Sequence, residues 1–432
     1  MTALPPMGTD TETAPLDPLS EQYEAGRERL GIEPGLDAID LVEIGEDTME
    51  LNMGPMHPST HGVLRLVLNL DGEVVRECRP DIGYLHTGFE KDFERHTYQQ
   101  CIPYTDRMDY LSPLFNNLGF SLAVEKLLGI EVPLRGQYLR VIMCELCRLA
   151  SHLLWYGTSA LDLGATTAFV YAWRDREKLL DINELVSGVR MHTSFIRVGG
   201  LLADVPDPFY EMVGAVIKTF PKLIDEHELL ITKNPIWRQR TIGLGRLSQE
   251  DAMAYGATGP VLRGSGVPYD LRKAQPYSSY DHFDFDVPIG RTGDVYDRYL
   301  VRMQEMRESL KIITQAFNNL PDGPVNTKDR RVALPPRNEL NTSMESLIHH
   351  FKLVTEGMRV PAGQVYQAVE SPRGELGFYL VSDGTNRPYR CKVRAPSFSN
   401  LSALPHMVRG ELIADVVAVI GSIDIVLGDV DR

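Results

Sequence analysis

The stretch Gly54-Pro55-Met56-His57-Pro58-Ser59-Thr60-His61-Gly62 decides how the rest of the chain is read. Two histidines four apart would share one face of a helix and could grip a metal there, but Pro58 lies between them and Gly54, Pro55 and Gly62 surround them. Proline has no backbone N–H and drives the residue before it out of the helical region, so the segment reads as a turn. Strand-like runs flank it, Thr48 to Met53 and Val63 to Leu70. A hairpin tip carrying two titratable rings is poor core material. It is either a polar hairpin with incidental histidines or a place for chemistry.

Outward from that turn, the chain of 432 residues is long enough to bury a large core, as one big domain or two intimate ones. Its formal net charge of −15 comes without any basic stripe, which excludes a nucleic-acid partner. The charge is uneven: residues 1–50 hold thirteen acidic side chains against two basic ones, with five prolines before residue 35. Residues 1–44 therefore read as an acidic, partly disordered extension, without the basic, apolar and small-residue zones of a secretory signal. No apolar run approaches the roughly 20 residues needed to span a bilayer, and the most apolar helix candidate, Leu139 to Leu163, carries Arg140, Glu145 and Arg148. The expectation is a soluble chain that can still rest on a membrane assembly.

The five cysteines (Cys78, Cys101, Cys144, Cys147, Cys391) are an odd, sparse set, as expected in a reducing compartment. Cys144 and Cys147 make a CxxC, but Leu139, Ile142, Met143, Leu146, Leu149 and Leu153 recur around them at helical spacing. With no second pair at ligand spacing, they read as buried helical thiols rather than as zinc or iron–sulfur ligands.

Helical patterns are expected over 106–130, 137–162, 166–186, 208–232 (interrupted by Pro221), 294–320 and 344–355. Residues 234–293, rich in Gly, Pro, Tyr and Arg, read as ordered loop. Strand patterns return at 364–371, 377–382 and 389–393. The fold class is α+β and predominantly helical: a small β region at about 45–82, a helical core at about 83–360 and a C-terminal mixed region with β segments at about 361–432. No dinucleotide or P-loop glycine motif, GxSxG or HExxH is present. Any electrons used here must come from elsewhere.

Several ordered motifs now carry a resemblance: His57-Pro-Ser-Thr-His-Gly62, Gly83-Tyr-Leu-His-Thr-Gly-Phe-Glu-Lys91, Arg107-Met-Asp-Tyr110, Ala123-Val-Glu-Lys-Leu-Leu128 and Leu161-Asp-Leu-Gly-Ala165. Arg190-Met-His192, Phe285-Asp-Val-Pro288, Arg373-Gly-Glu-Leu-Gly377, Val381-Ser-Asp-Gly384, Arg394-Ala-Pro-Ser-Phe398 and Gly428-Asp-Val-Asp-Arg432 follow. From about residue 45 to its end the chain closely resembles the D subunit of the proton-pumping NADH:quinone oxidoreductases, respiratory complex I. That family is related to the large subunit of nickel–iron hydrogenases, which implies a hydrogenase large-subunit-like fold. The hydrogenase metal is held by two CxxC pairs. The corresponding positions here are Asp109 and Ser112 in the early site and Val426 and Asp429 in the late one, so the soft thiolates a nickel–iron centre requires are missing.

The resemblance implies that the emptied cavity receives the headgroup of ubiquinone or menaquinone. It places His61 and Tyr110 at the two quinone carbonyl oxygens, with Asp162 as the partner of His61, and His192 near the terminal iron–sulfur cluster of the neighbouring B subunit. A phenol and an imidazolium can each surrender a proton, and a carboxylate beside the ring favours its cationic form. Read alone, Tyr110 is a core tyrosine, Asp162 a helix-end residue and His192 a structural histidine; the resemblance reverses those readings. His57 is assigned to loop support. At Thr87 many relatives carry an arginine beside the cluster, and without that charge the cluster loses its electron slightly more easily. The chain itself is expected to bind no metal or redox cofactor, with quinone as substrate and the iron–sulfur cluster and flavin on partner subunits. The implied partners are the B, C and I subunits and the membrane-embedded H subunit, and the implied place is the cytoplasmic side of the cell membrane, peripherally bound. A scaffold without chemistry, the same role in a sister complex with a donor other than NADH, and a hydrogenase-like enzyme are the rival readings; the last fails on its missing thiolates.

Overall fold

In Arg65-Leu-Val-Leu-Asn-Leu-Asp71 the leucines at 66, 68 and 70 fall on one face of a pleated strand, and all three are buried in the computed structural model of the chain. The structure describes residues 48–55 and 60–432; the acidic extension and His57 lie outside the described residues. The chain divides into two units, Met1–Met49 and Glu50–Arg432, and the second holds all the described residues except Thr48 and Met49. Strands β1 (Thr48–Met53), β2 (Arg65–Asp71) and β3 (Val74–Asp81) are neighbours in that order, with β2 and β3 antiparallel and Leu68 opposite Cys78.

The helical part comes next. Helix α1 (Tyr98–Thr105) opens on a capping box in which Gln100 N donates to Thr97 Oγ1 and Thr97 N donates to the Gln100 side chain. Helix α2 (Pro113–Leu128) starts at a proline and ends at Gly129, whose φ of 63° is the left-handed stop that glycine adopts freely. Helices α3 (Leu134–Asp162), α4 (Thr166–Ser187), α5 (Pro208–Ile231), α6 (Val295–Asn318) and α7 (Met344–Thr355) continue the chain. An antiparallel sheet of β4 (Gly363–Ser371), β5 (Gly374–Ser382) and β6 (Arg390–Arg394) then leads into α8 (Pro396–Ser402), α9 (Ile413–Ile423) and α10 (Leu427–Asp431). About half of the described residues are helical, and the fold is a mixed α/β one with small sheets toward both ends.

Two apolar clusters hold these elements. The larger one gathers α1 to α6 around the second sheet, and there α2 meets β5 so closely that a Cβ on Gly119 would lie 2.9 Å from the Phe378 ring. The smaller one packs Leu64, Leu66, Leu68, Leu70 and Val75 against Val416, Val419, Ile420, Ile423, Leu427 and Val430. It carries the first sheet onto the last helices of the chain, and so brings the His61 turn to the C-terminal segment.

The charges inside α3 are paired where they are buried. Arg140 donates to Glu125 Oε2 at 3.0 Å, and Glu145 receives Arg148, Arg272, Ser309 Oγ and Tyr280 Oη at 2.6–3.3 Å. Burial alone would raise the Glu145 carboxyl, but Arg148 and Arg272 bring it down to about 2. Among the described residues no helix is long and apolar enough to cross a membrane.

Several boundaries differ from expectation. The pattern over 106–130 becomes a helix only at Pro113, because 106–112 is a run of turns that carries Tyr110. Helix α5 runs unbroken through Pro221, which is exposed, so the carbonyl it frees can meet water. Residues 234–293 hold short helices at Pro235–Gln239, Gln249–Ala254, Pro260–Gly264 and Leu271–Ala274. The C-terminal region is β only to Arg394, and α8 to α10 were not foreseen; Cys144 and Cys147 are buried in α3 as expected.

Backbone hydrogen bonds Val75 N to Glu411 O (2.9 Å) and Gly410 N to Val75 O (2.8 Å) stitch β3 to the segment before α9. The Glu411 side chain is buried there with one donor, Gly245 N at 3.2 Å, and burial pushes its carboxyl up to about 7. A raised acid contributes stability below its unfolded value near 4.5 and loses it as pH rises through about 7. Glu411→Gln is therefore expected to stabilise the chain at pH 8 by on the order of 1–3 kcal/mol, with the gain gone at pH 4, as read by urea unfolding at the two pH values.

Candidate functional site

His61 sits in the turn after β1 with φ 52°, in the left-handed region that costs a non-glycine residue on the order of 1 kcal/mol, and Gly62 follows at φ 133°. From there the imidazole reaches Asp162, the last residue of α3: Nε2 lies 2.8 Å from Oδ2, with the side chains 16% and 10% exposed. The two atoms are close but out of line for a hydrogen bond, so the pair attracts chiefly as charges when the ring is protonated. Helix α9 closes on the pair through Gly421, where a Cβ would stand 3.4 Å from His61 Nε2 and 3.5 Å from Asp162 Oδ2. Trp155 Nε1 donates to Gly421 O at 2.6 Å and fixes α9 against α3.

Tyr110 lies half-buried in the turn between α1 and α2. Asp109 shapes that turn: its Oδ1 accepts from Leu111 N (3.2 Å) and Ser112 N (3.3 Å), and Ser112 Oγ donates to Oδ2. Burial, then the Asp109 carboxylate, push the Tyr110 phenol above its ordinary value, with Arg373 opposing. Tyr110 is therefore a protonated donor at neutral pH.

The His61 and Tyr110 turns rest on the same short piece of chain. A Cβ on Gly62 would come 2.9 Å from Leu427 Cδ1, and one on Gly428 would come 2.5 Å from Met108 O and 3.0 Å from Arg107 O. Beneath them Arg373 donates to Asp109 Oδ2 at 3.0 Å and to Asp424 Oδ1 at 3.2 Å. Asp424 directly follows α9, and burial raises its carboxyl against the lowering effect of Arg373 and Arg302. Asp429 is buried beside Asp109, and burial with that neighbour pushes it up to about 6. Asp109, Asp424 and Asp429 thus set three carboxylates around the Arg373 guanidinium, which bonds to the first two. Arg373 was quoted in a motif but not singled out; the local signal was the turn Pro372-Arg373-Gly374 between two strand patterns.

His192 lies two residues before Ser194, whose N donates to the buried Asp106 at 3.1 Å. The structure brings His61 and Asp162 into contact and seats the His61 and Tyr110 turns on Leu427 and Gly428, and it gives His192 no hydrogen bond to these residues.

A family model described as the respiratory-chain NADH dehydrogenase, 49 Kd subunit, matches residues 162–432, which takes in Asp162, Arg373 and the C-terminal segment. The D subunit of the NADH-quinone oxidoreductase of Geotalea uraniireducens is 58% identical over 89% of this chain and 99% of its own length. The D subunit numbered 2 of the Koribacter versatilis enzyme is 56% identical over 91% of this chain and 98% of its own. Its counterpart, also numbered 2, from Chloroflexus aurantiacus is 57% identical over 89% and 95%. The names of these relatives describe one subunit of an oxidoreductase complex. The chain belongs to this family of 49 Kd, or D, subunits.

Because the Gly428 hydrogen faces the Met108 carbonyl, Gly428→Ala has no room without pushing the Tyr110 turn outward. It is expected to destabilise the chain by about 1–3 kcal/mol, measured by urea unfolding, whereas an alanine at Gly129, where nothing lies within 4 Å, meets no such clash.

Proposed function

We propose that the chain is the peripheral-arm subunit of a proton-translocating NADH:quinone oxidoreductase and forms the quinone headgroup site jointly with the neighbouring B subunit. The observation that carries this reading is the His61–Asp162 pair at 2.8 Å, resting on the same Leu427–Gly428 segment as the Tyr110 turn. Reduction of a quinone takes two electrons and two protons, the protons going to two separate carbonyl oxygens. The electrons come from the terminal iron–sulfur cluster on the B subunit. His61 gives one proton and Tyr110 the other, each positioned by a turn that the C-terminal segment holds. Proton loss from the ring leaves Asp162 without its cation in a nearly dry site, and that charge change is the signal passed toward the membrane arm.

The likeness to the hydrogenase large subunit belongs to the same reading: the fold is kept, and Asp109, Ser112, Val426 and Asp429 stand where thiolates held a metal. His192 lies toward the cluster of the B subunit, and the C, I and H subunits are the other neighbours. The place is the cytoplasmic face of the membrane.

Two acceptors test the reading in the assembled complex: a short-chain ubiquinone, and ferricyanide, which takes electrons upstream of the quinone. Tyr110→Phe and His61→Gln are each expected to lower quinone reduction 10²- to 10⁴-fold with the ferricyanide rate unchanged. Full quinone activity in Tyr110→Phe would leave the chain as a scaffold. Asp162→Asn, which keeps the shape and removes the charge beside His61, is expected to fall between His61→Gln and the unaltered chain in the same assay.

A further inference from the structure

Arg373 occupies the two-residue turn between β4 and β5, and its side chain is wholly buried. Its main chain cannot drift. Asn400 Nδ2 donates to Arg373 O at 3.2 Å, Arg373 N donates to Ser371 Oγ at 3.3 Å, and a Cβ on the facing Gly259 would stand 2.4 Å from Arg373 O. From this root Nη1 donates to Asp109 Oδ2 and to Ser151 Oγ, both at 3.0 Å, while Nη2 reaches Asp424 Oδ1 at 3.2 Å and Nε reaches Asp424 O at 3.1 Å. Asp109 is the residue before Tyr110, and Asp424 directly follows α9, whose Gly421 packs on His61.

We propose that Arg373 is a positioning residue for quinone reduction: its guanidinium ties the Asp109 carboxylate, beside Tyr110, to Asp424, at the end of the helix that packs on His61, and so fixes the two proton donors relative to each other. This rests on the reading of the site given above. Arginine suits the task because its planar fork holds several acceptors at once in fixed directions, whereas a lysine ammonium is a point charge at the end of a flexible stem. The three carboxylates around it, Asp109, Asp424 and Asp429, also need one permanent cation among them. Arg373 does not touch the proposed headgroup position itself; it acts through the residues on either side.

Arg373→Lys keeps the buried charge and tests the geometry. In the assembled complex, with decylubiquinone as acceptor, kcat is expected to fall on the order of 10²-fold, the loss typical of a misplacement of about 1 Å. KM should stay nearly constant and the ferricyanide rate per assembled complex should be unchanged. Asp424→Asn, nearly isosteric, takes the charge out of the side-chain tie on the His61 side while Nε still holds Asp424 O, and should lower kcat on the order of tenfold with the same split. A brace that matters only for folding predicts less assembled complex with normal kcat; that outcome, or an unchanged kcat in both variants, overturns the proposal. Tyr110→Phe assayed alongside separates the two readings. If it is silent, the site assignment fails; if it is impaired while Arg373→Lys is not, only the positioning role fails.

Discussion

Asp431 accepts hydrogen bonds from Gly83 N at 2.9 Å and Leu85 N at 2.7 Å, and its carbonyl meets His86 Nδ1 at 2.7 Å. A few residues earlier, Gly428 lies under the Met108 carbonyl, Leu427 under Gly62, and Asp424 in the grip of Arg373. Four segments that are far apart in the chain therefore depend on its last nine residues. The dependence is physical rather than topological: the contacts are backbone donors at Gly83 and Leu85, side-chain bonds from His86 and Arg373, and steric fits at Gly62 and Gly428 that only glycine allows. The apolar cluster beneath, which joins Leu66 and Leu68 of β2 to Val419 and Ile423 of α9, supplies the adhesion that keeps this clasp closed.

The interior behind the clasp is full of charge. Arg148, Arg263, Arg272, Glu145, Glu305, Glu370 and Asp270 are all buried, and direct ion pairs connect them. Replacing such pairs with hydrocarbon is often neutral for stability, but removing one partner alone costs about 3–5 kcal/mol. The network is thus better understood as a fixer of arrangement than as a source of stability. Its groups link α3, α6 and β4 at defined separations, and β4 is the strand that ends in the Arg373 turn.

What was legible in the sequence depends on how local the signals are. The turn at His61 was readable because Pro58 and the glycines act on their own backbone, and helix α7 matched its expected ends because Ser343 caps it and its pattern is regular. Asp162 could be placed at a helix end, but its 2.8 Å approach to His61 spans about a hundred residues of sequence, which no local pattern encodes. The expected helix over 106–130 failed at its start for a similar reason. Asp109 and Ser112 hold that turn open by their own side-chain hydrogen bonds, overriding an apolar periodicity that would have continued it. Helices α8 and α10, seven and five residues long, exist by tertiary packing and have too few turns to show a period.

The charge balance around Arg373 draws these observations together. Three buried carboxylates with a single guanidinium bound among them cannot all be ionised cheaply, and the structure shows where the strain is relieved. Asp109 has Arg373, Ser112 and two backbone donors. Asp424 has Arg373 on one oxygen. Asp429 has Ser397 N at 3.0 Å on one oxygen and no hydrogen bond on the other. Burial raises both Asp424 and Asp429; Arg373 opposes it at Asp424, while the Asp109 carboxylate adds to it at Asp429, which reaches about 6. As pH falls toward that value Asp429 takes up a proton. Among the described residues Asp429 shares no hydrogen bond with Arg373, Asp109 or Asp424, so its protonation cuts none of the ties that Arg373 makes.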